Sequence, residues 1–181
     1  MTTAEKNGVR WVWDGQPLGI LEYSVLLETE RGRLRVPDAL RLTCDVHGLD
    51  GLARVTVDCR FVNGRYLTTR LEATPNDGHP IDFYALQHKM QISEGVRKAA
   101  QSEVIYDARD GETYTRHKMM ADPDPLHRVA MTYAIAYAFG ESPTAAVGLA
   151  FDLKVNAAAQ RVKRAREKGY LPPTAPGKAG A

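Results

Sequence analysis

Residues 142–171 read SPTAAVGLAFDLKVNAAAQRVKRAREKGYL, and whether this stretch bends decides the fold of the C-terminal third. Ser142-Pro143 pairs a capping residue with proline at the first helical position, a helix start. The spacing predicts a helix over 143–151, a tight turn, and a second helix running to Lys168. Two helices that cross closely need a small residue at the crossing, and Gly148 supplies it. The turn needs a residue that tolerates positive φ, and Asp152 is among the few non-glycine side chains that do. Val147 and Phe151 before the turn and Leu153 after it pin the corner. Gly169 then stands where a left-handed helix cap is favoured.

At about 100° per residue, Val162 and Ala165 fall within about 40° of Ala158 on the second helix. They form a narrow inner seam of small residues. Asn156, Gln160, Lys163, Arg164 and Glu167 lie on the opposite side, and Arg161, Arg166 and Lys168 flank the seam. Small alanines let the helix sit close to its neighbours while a long edge of amides and cations faces outward.

Charge is distributed to match. The 181 residues carry a net charge of only +2, yet residues 154–181 hold seven basic groups against Glu167 alone, a net of +6. The preceding 153 residues hold 17 basic and 21 acidic groups. A polyanion-facing C-terminus on a mildly acidic body is the expectation.

The outward edge has the chemistry that a DNA major groove requires. Asn156 and Gln160 can donate and accept together, as bidentate adenine recognition demands, and Ala159 suits a thymine methyl. Base-reading positions fall in the first turns of such a helix. The expected base contacts are therefore Asn156, Ala159, Gln160 and Lys163. The expected phosphate contacts are Lys154, Arg161, Arg164, Arg166 and Lys168, which would neutralise charge and set the register.

DLKVNAAAQRVKRAREKGYL resembles the recognition half of a helix-turn-helix of the feast/famine (leucine-responsive) regulator type, through the order Arg161-Val162-Lys163-Arg164. The tail GYLPPTAPGKAGA is similar to those of uncharacterised actinobacterial proteins ending in such a motif. The resemblance covers about residues 126–181, and it departs from the usual pattern at Asp152, where glycine is normal, and at Ala157, where Ser or Thr is common. It implies sequence-specific binding of double-stranded DNA, in the role of a transcription regulator. One such motif rarely binds tightly enough alone, so a homodimer is expected.

Upstream, 126–139 is nearly apolar all round from Val129 onward, so this helix must be covered on more than one side, by its own domain, the β part or a second chain. Asp124-Pro125 starts it and Gly140 ends it. The N-terminal part reads as strand. Val55, Val57, Cys59 and Phe61 alternate strictly, and Asn63-Gly64 is a strong hairpin signal. ERGR (residues 30–33) marks another turn, and a meander of about five strands follows. Cys44 and Cys59 each share a strand face with apolar neighbours, which makes them small buried hydrophobes rather than a disulfide.

The expected fold class is α+β: an antiparallel β-rich N-terminal domain (1–80), a helix and loop connection (81–124), an α-helical helix-turn-helix domain (125–171) and a disordered tail (172–181). In the connection, Leu86, Met90, Val96, Ala99 and Ala100 have roughly helical spacing, and DARDGETYTRHKMMADPDP reads as loop. No apolar core run marks a signal peptide, and the most apolar segment, VAMTYAIAYAF, is too short to span a bilayer. The chain reads as cytoplasmic.

His47, His79, His88, His117 and His127 form no metal-ligand pattern, and no cofactor is expected. No phosphate loop or nucleophile elbow is present, so the expectation is a non-enzyme. Two alternatives stay open. One is a DNA-associated assembly or mobile-element protein using the same motif for recruitment. The other is a nucleic-acid-processing enzyme with Asp107, Asp110 and His117 at its site. The sequence assigns no small-molecule effector.

Overall fold

The computed structural model describes residues 2–6, 9–18, 22–47, 52–75, 103–115 and 121–173. In chain order the strands are β1 (Thr2–Lys6), β2 (Val9–Pro17), β3 (Tyr23–Thr29), β4 (Gly32–Pro37), β5 (Ala39–His47), β6 (Leu52–Val62), β7 (Arg65–Pro75), β8 (Ile105–Ala108) and β9 (Thr113–Thr115). The helices are α1 (Pro125–Ala138), α2 (Pro143–Ala150) and α3 (Val155–Glu167). The class is mixed α+β. Of the helix expected over 83–106, residues 83–102 lie outside the described residues, while Ile105 and Tyr106 belong to β8 instead. His79, His88, His117 and the tail from residue 174 also lie outside the described residues. No helix among the described residues is long and apolar enough to cross a membrane.

The chain divides into two compact units that interleave along the sequence. The first unit comprises Met1–Glu22, Pro37–Arg60 and Leu67–Glu103; the second comprises Tyr23–Val36, Phe61–Tyr66 and Val104–Ala181.

The sheet of the first unit has the order β1-β2-β5-β6-β7. Alternation decides its buried face. In the antiparallel register of β5 and β6, Leu40 faces Cys59, Leu42 faces Val57 and Cys44 faces Val55. All six are buried, and apolar cross-strand pairs of this kind are the unit of sheet stability. Each thiol thus faces an aliphatic side chain, and both cysteines are free. Burial pushes the Cys44 thiol up to about 12, the signature of an inert packing residue. Asp58 on β6 is buried and takes a two-pronged pair from Arg41 Nε and Nη2, each at 2.8 Å. At the β6–β7 turn, Asn63 (φ 51°) and Gly64 (φ 82°) both adopt positive φ, as the expected two-residue hairpin requires.

The hairpin β3–β4 corrects the expectation of a single meander. It leaves the first sheet and forms a second, in the order β3-β4-β8-β9. Gly32 permits the close approach of β8: a Cβ there would collide with the Asp107 carbonyl oxygen and lie 2.6 Å from the Tyr106 hydroxyl, so β8 and Tyr106 occupy the space any side chain would need. The stretch expected as a loop from 107 onward begins with the hairpin β8–β9, in which Tyr106 faces Tyr114. These strands are only four and three residues long, and β8 pairs with β4 across 70 residues or more of sequence.

The core of the second unit is built on α1. Val129, Ala130, Met131, Tyr133, Ala134 and Ile135 pack with Leu34, Val36 and Tyr106 of the sheet and with Val147, Ala158 and Val162 of the other helices. Phe61, Tyr66 and Phe139 extend it as an aromatic cluster, with Tyr66 stacked on Phe139 at 5.0 Å. After Pro125 no position of α1 is exposed. The covering expected for this helix comes from its own unit.

Candidate nucleic-acid interface

The three helices among the described residues end in the same way. Glu141 N–H donates to the Ala136 carbonyl, Leu153 N–H to that of Gly148, and Tyr170 N–H to that of Ala165, at 2.8–2.9 Å. The residue before each donor has positive φ: Gly140 (72°), Asp152 (50°) and Gly169 (81°). This closure satisfies carbonyls that the helix leaves open. Asp152 therefore takes the left-handed position assigned to it from the sequence, as the closing residue of α2.

The corner between α2 and α3 is tight. Gly148 is buried, and a Cβ on it would sit 3.1 Å from the Leu153 carbonyl oxygen and 3.7 Å from Ala158 Cβ. The crossing residue is thus where the spacing placed it. Beyond the corner, Ala158, Val162 and Ala165 are buried, and they are the three seam residues read from the helical wheel.

The outer side of α3 is open. Asn156, Ala159, Gln160 and Lys163 are all exposed, as are Lys154 and Arg164, while Arg161 is half-buried. Lys163 pairs loosely with Glu167 at 3.7 Å on the same face, a contact worth little in water. The capping side chains of Ser142 and Lys154 make no hydrogen bond to the helix starts they precede. The leading amides of α2 and α3, with the positive end of each helix dipole, therefore lack a side-chain acceptor from their caps.

Two of the residues expected at phosphates make contacts within the protein. Arg166 Nη2 donates to the Tyr133 hydroxyl at 2.9 Å, with the guanidinium carbon 4.9 Å from the centre of the Tyr133 ring. Lys168 Nζ donates to Asp124 Oδ2 at 2.7 Å. Both cations, which flank the seam, fasten α3 to α1 and its start.

A buried polar chain had no signal in the sequence. His127, with no exposed surface, places Nδ1 3.0 Å from Asp122 Oδ2 and Nε2 3.1 Å from Thr29 Oγ1. Arg31 Nη2 reaches Asp122 Oδ1 at 3.3 Å. Burial, the largest effect, pushes the His127 pKa down and outweighs the opposing pull of Asp122. A carboxylate can only accept, so the neutral ring carries its proton on Nδ1, and Nε2 competes with the Gly32 carbonyl, 3.3 Å from Thr29 Oγ1, for the single Thr29 hydroxyl proton. Burial raises the Asp122 carboxyl, but the Asp124 amide, His127 and Arg31 together outweigh it and hold it below the usual range.

Of the residues considered for catalysis, the described ones are Asp107 and Asp110. Asp107 is held by Arg35 Nε at 2.6 Å and by the Thr113 hydroxyl at 2.9 Å. Asp110 closes its own turn by accepting from the Glu112 amide. Comparison with protein-family models, with curated proteins and with solved structures finds no match to this chain.

Proposed function

We propose that the protein binds duplex DNA sequence-specifically through α2 and α3, as a helix-turn-helix, and acts as a transcription regulator. The reading is carried by one observation: α3 buries only Ala158, Val162 and Ala165 while exposing Asn156, Ala159, Gln160, Lys163 and Arg164 along its other side. A helix so arranged is held by its seam and presents amides and cations at the width of a major groove. In this reading Asn156, Ala159, Gln160 and Lys163 face bases, and Lys154, Arg161 and Arg164 face phosphates. The uncapped starts of α2 and α3 add amide donors for phosphate. Arg166 and Lys168 act one step back, by holding α3 at its angle.

A homodimer on a two-fold related site is proposed with it, because one motif gives too little affinity. Since α1 is covered within its own unit, the contact between copies uses another surface.

The test is binding to random and selected duplexes at several salt concentrations. Gln160→Ala is expected to relax sequence preference at a cost of about 1–3 kcal/mol. Arg164→Ala is expected to weaken all sequences alike and to reduce the salt slope by about one. Parent-like binding by both variants overturns the placement of α3.

A further inference from the structure

Val155 opens α3 as a β-branched apolar residue left 72% exposed among amides and cations. Its side chain contributes little to the packed seam, and β-branching does not favour a helix. Residues four apart on a helix share a face, so Val155 lines up with the exposed Ala159. Asn156 lines up in the same way with Gln160, about 100° further round the helix. The first two turns of α3 thus carry a methyl-bearing strip beside an amide-bearing strip.

We propose that Val155, with Ala159, reads the thymine 5-methyl group, and that the preferred duplex places A·T pairs against the first turns of α3. The inference rests on the DNA-binding reading above and adds what that site selects. In the major groove an A·T pair shows the thymine methyl next to adenine N7 and the adenine amino group, so an apolar contact and an amide are wanted side by side. A G·C pair has no methyl to offer. Duplex RNA lacks the methyl and hides its major-groove edges in a deep, narrow cleft. The site therefore selects thymine-containing B-form DNA.

The experiment begins with a duplex recovered by the full-length protein from a randomised pool, and with the same duplex in which every dT is replaced by deoxyuridine. The recovered sequences are expected to share A·T pairs. The deoxyuridine copy is expected to bind about four-fold more weakly for each methyl group lost from the contact. Val155→Ala is expected to weaken binding to the thymine duplex by a similar factor and to respond less than the parent to the deoxyuridine exchange. Equal melting temperatures for parent and variant establish that the fold is intact. Selective binding to G·C-only sites, or parent binding to the deoxyuridine copy without loss, overturns thymine reading and leaves DNA binding standing. Failure to bind any duplex overturns both.

Discussion

Asp124 Oδ2 lies 2.7 Å from Lys168 Nζ and 2.7 Å from the Tyr170 hydroxyl, while Oδ1 of the same carboxylate accepts from the amides of Leu126 and His127. One side chain therefore starts α1 and holds the end of α3. Burial raises the Asp124 carboxyl, but Lys168, Tyr170 and the two amides outweigh it and keep the group well below the ordinary carboxylate range.

Asp124→Ala is expected to destabilise the chain by about 1–2 kcal/mol, the usual loss for a missing N-cap. Asp124→Asn keeps an acceptor for the amides and loses the charge facing Lys168, so its loss should be smaller. Denaturant unfolding of the three proteins checks the order, and parent-like stability of the alanine variant would rule out the cap.

Asp152 stands at φ 50° with its side chain exposed. Glycine takes that conformation without strain. Asp152→Gly is expected to raise stability by about 0.5–1 kcal/mol, whereas Asp152→Val, β-branched in the same position, should lower it. Thermal melting reads both signs.

Acid should act in two stages. The His127 pKa is lower in the fold than its ordinary value of 6.5. Its contribution to stability is therefore complete above about 6.5 and is lost as pH falls below that. Asp122 and Asp124 are also depressed, so their contributions are present above the ordinary carboxylate value and fall away below about 4. Unfolding midpoints measured from pH 8 to pH 3 should show both declines. His127→Gln should remove the upper one, and an unchanged upper decline in that variant would place its origin elsewhere.

Arg164 and Arg166, two residues apart, are expected to separate by experiment. Arg166→Ala removes a hydrogen bond and a ring contact with Tyr133, so it should lower the melting temperature and leave the salt slope of DNA binding unchanged. Arg164→Ala should do the reverse. Identical behaviour of the two variants would contradict the division of roles along α3.

The local features of this chain were legible in its sequence because each is settled within a few residues. Asn63-Gly64, Asp124-Pro125, Asp152 and Gly169 carry their conformations in their own stereochemistry, and the Ala158–Val162–Ala165 seam follows from helical spacing alone. Pairings distant along the chain left no such trace. Nothing near Thr29 announces His127, 98 residues later, and the departure of β3–β4 to a second sheet depends on β8. Arg166 illustrates the limit within one helix. The wheel sets it beside the seam, but whether a long cationic side chain turns outward or lies on a ring depends on Tyr133, which belongs to another helix.

The closure at Gly169, the buried Tyr170 and the contacts of Arg166 and Lys168 all grip α3 by its rear half. Its leading half touches the body mainly through Ala158, so Val155, Asn156, Ala159 and Gln160 behave as an interchangeable nib on a fixed holder. Those four positions are expected to tolerate randomisation together as a library, with melting temperatures close to the parent's.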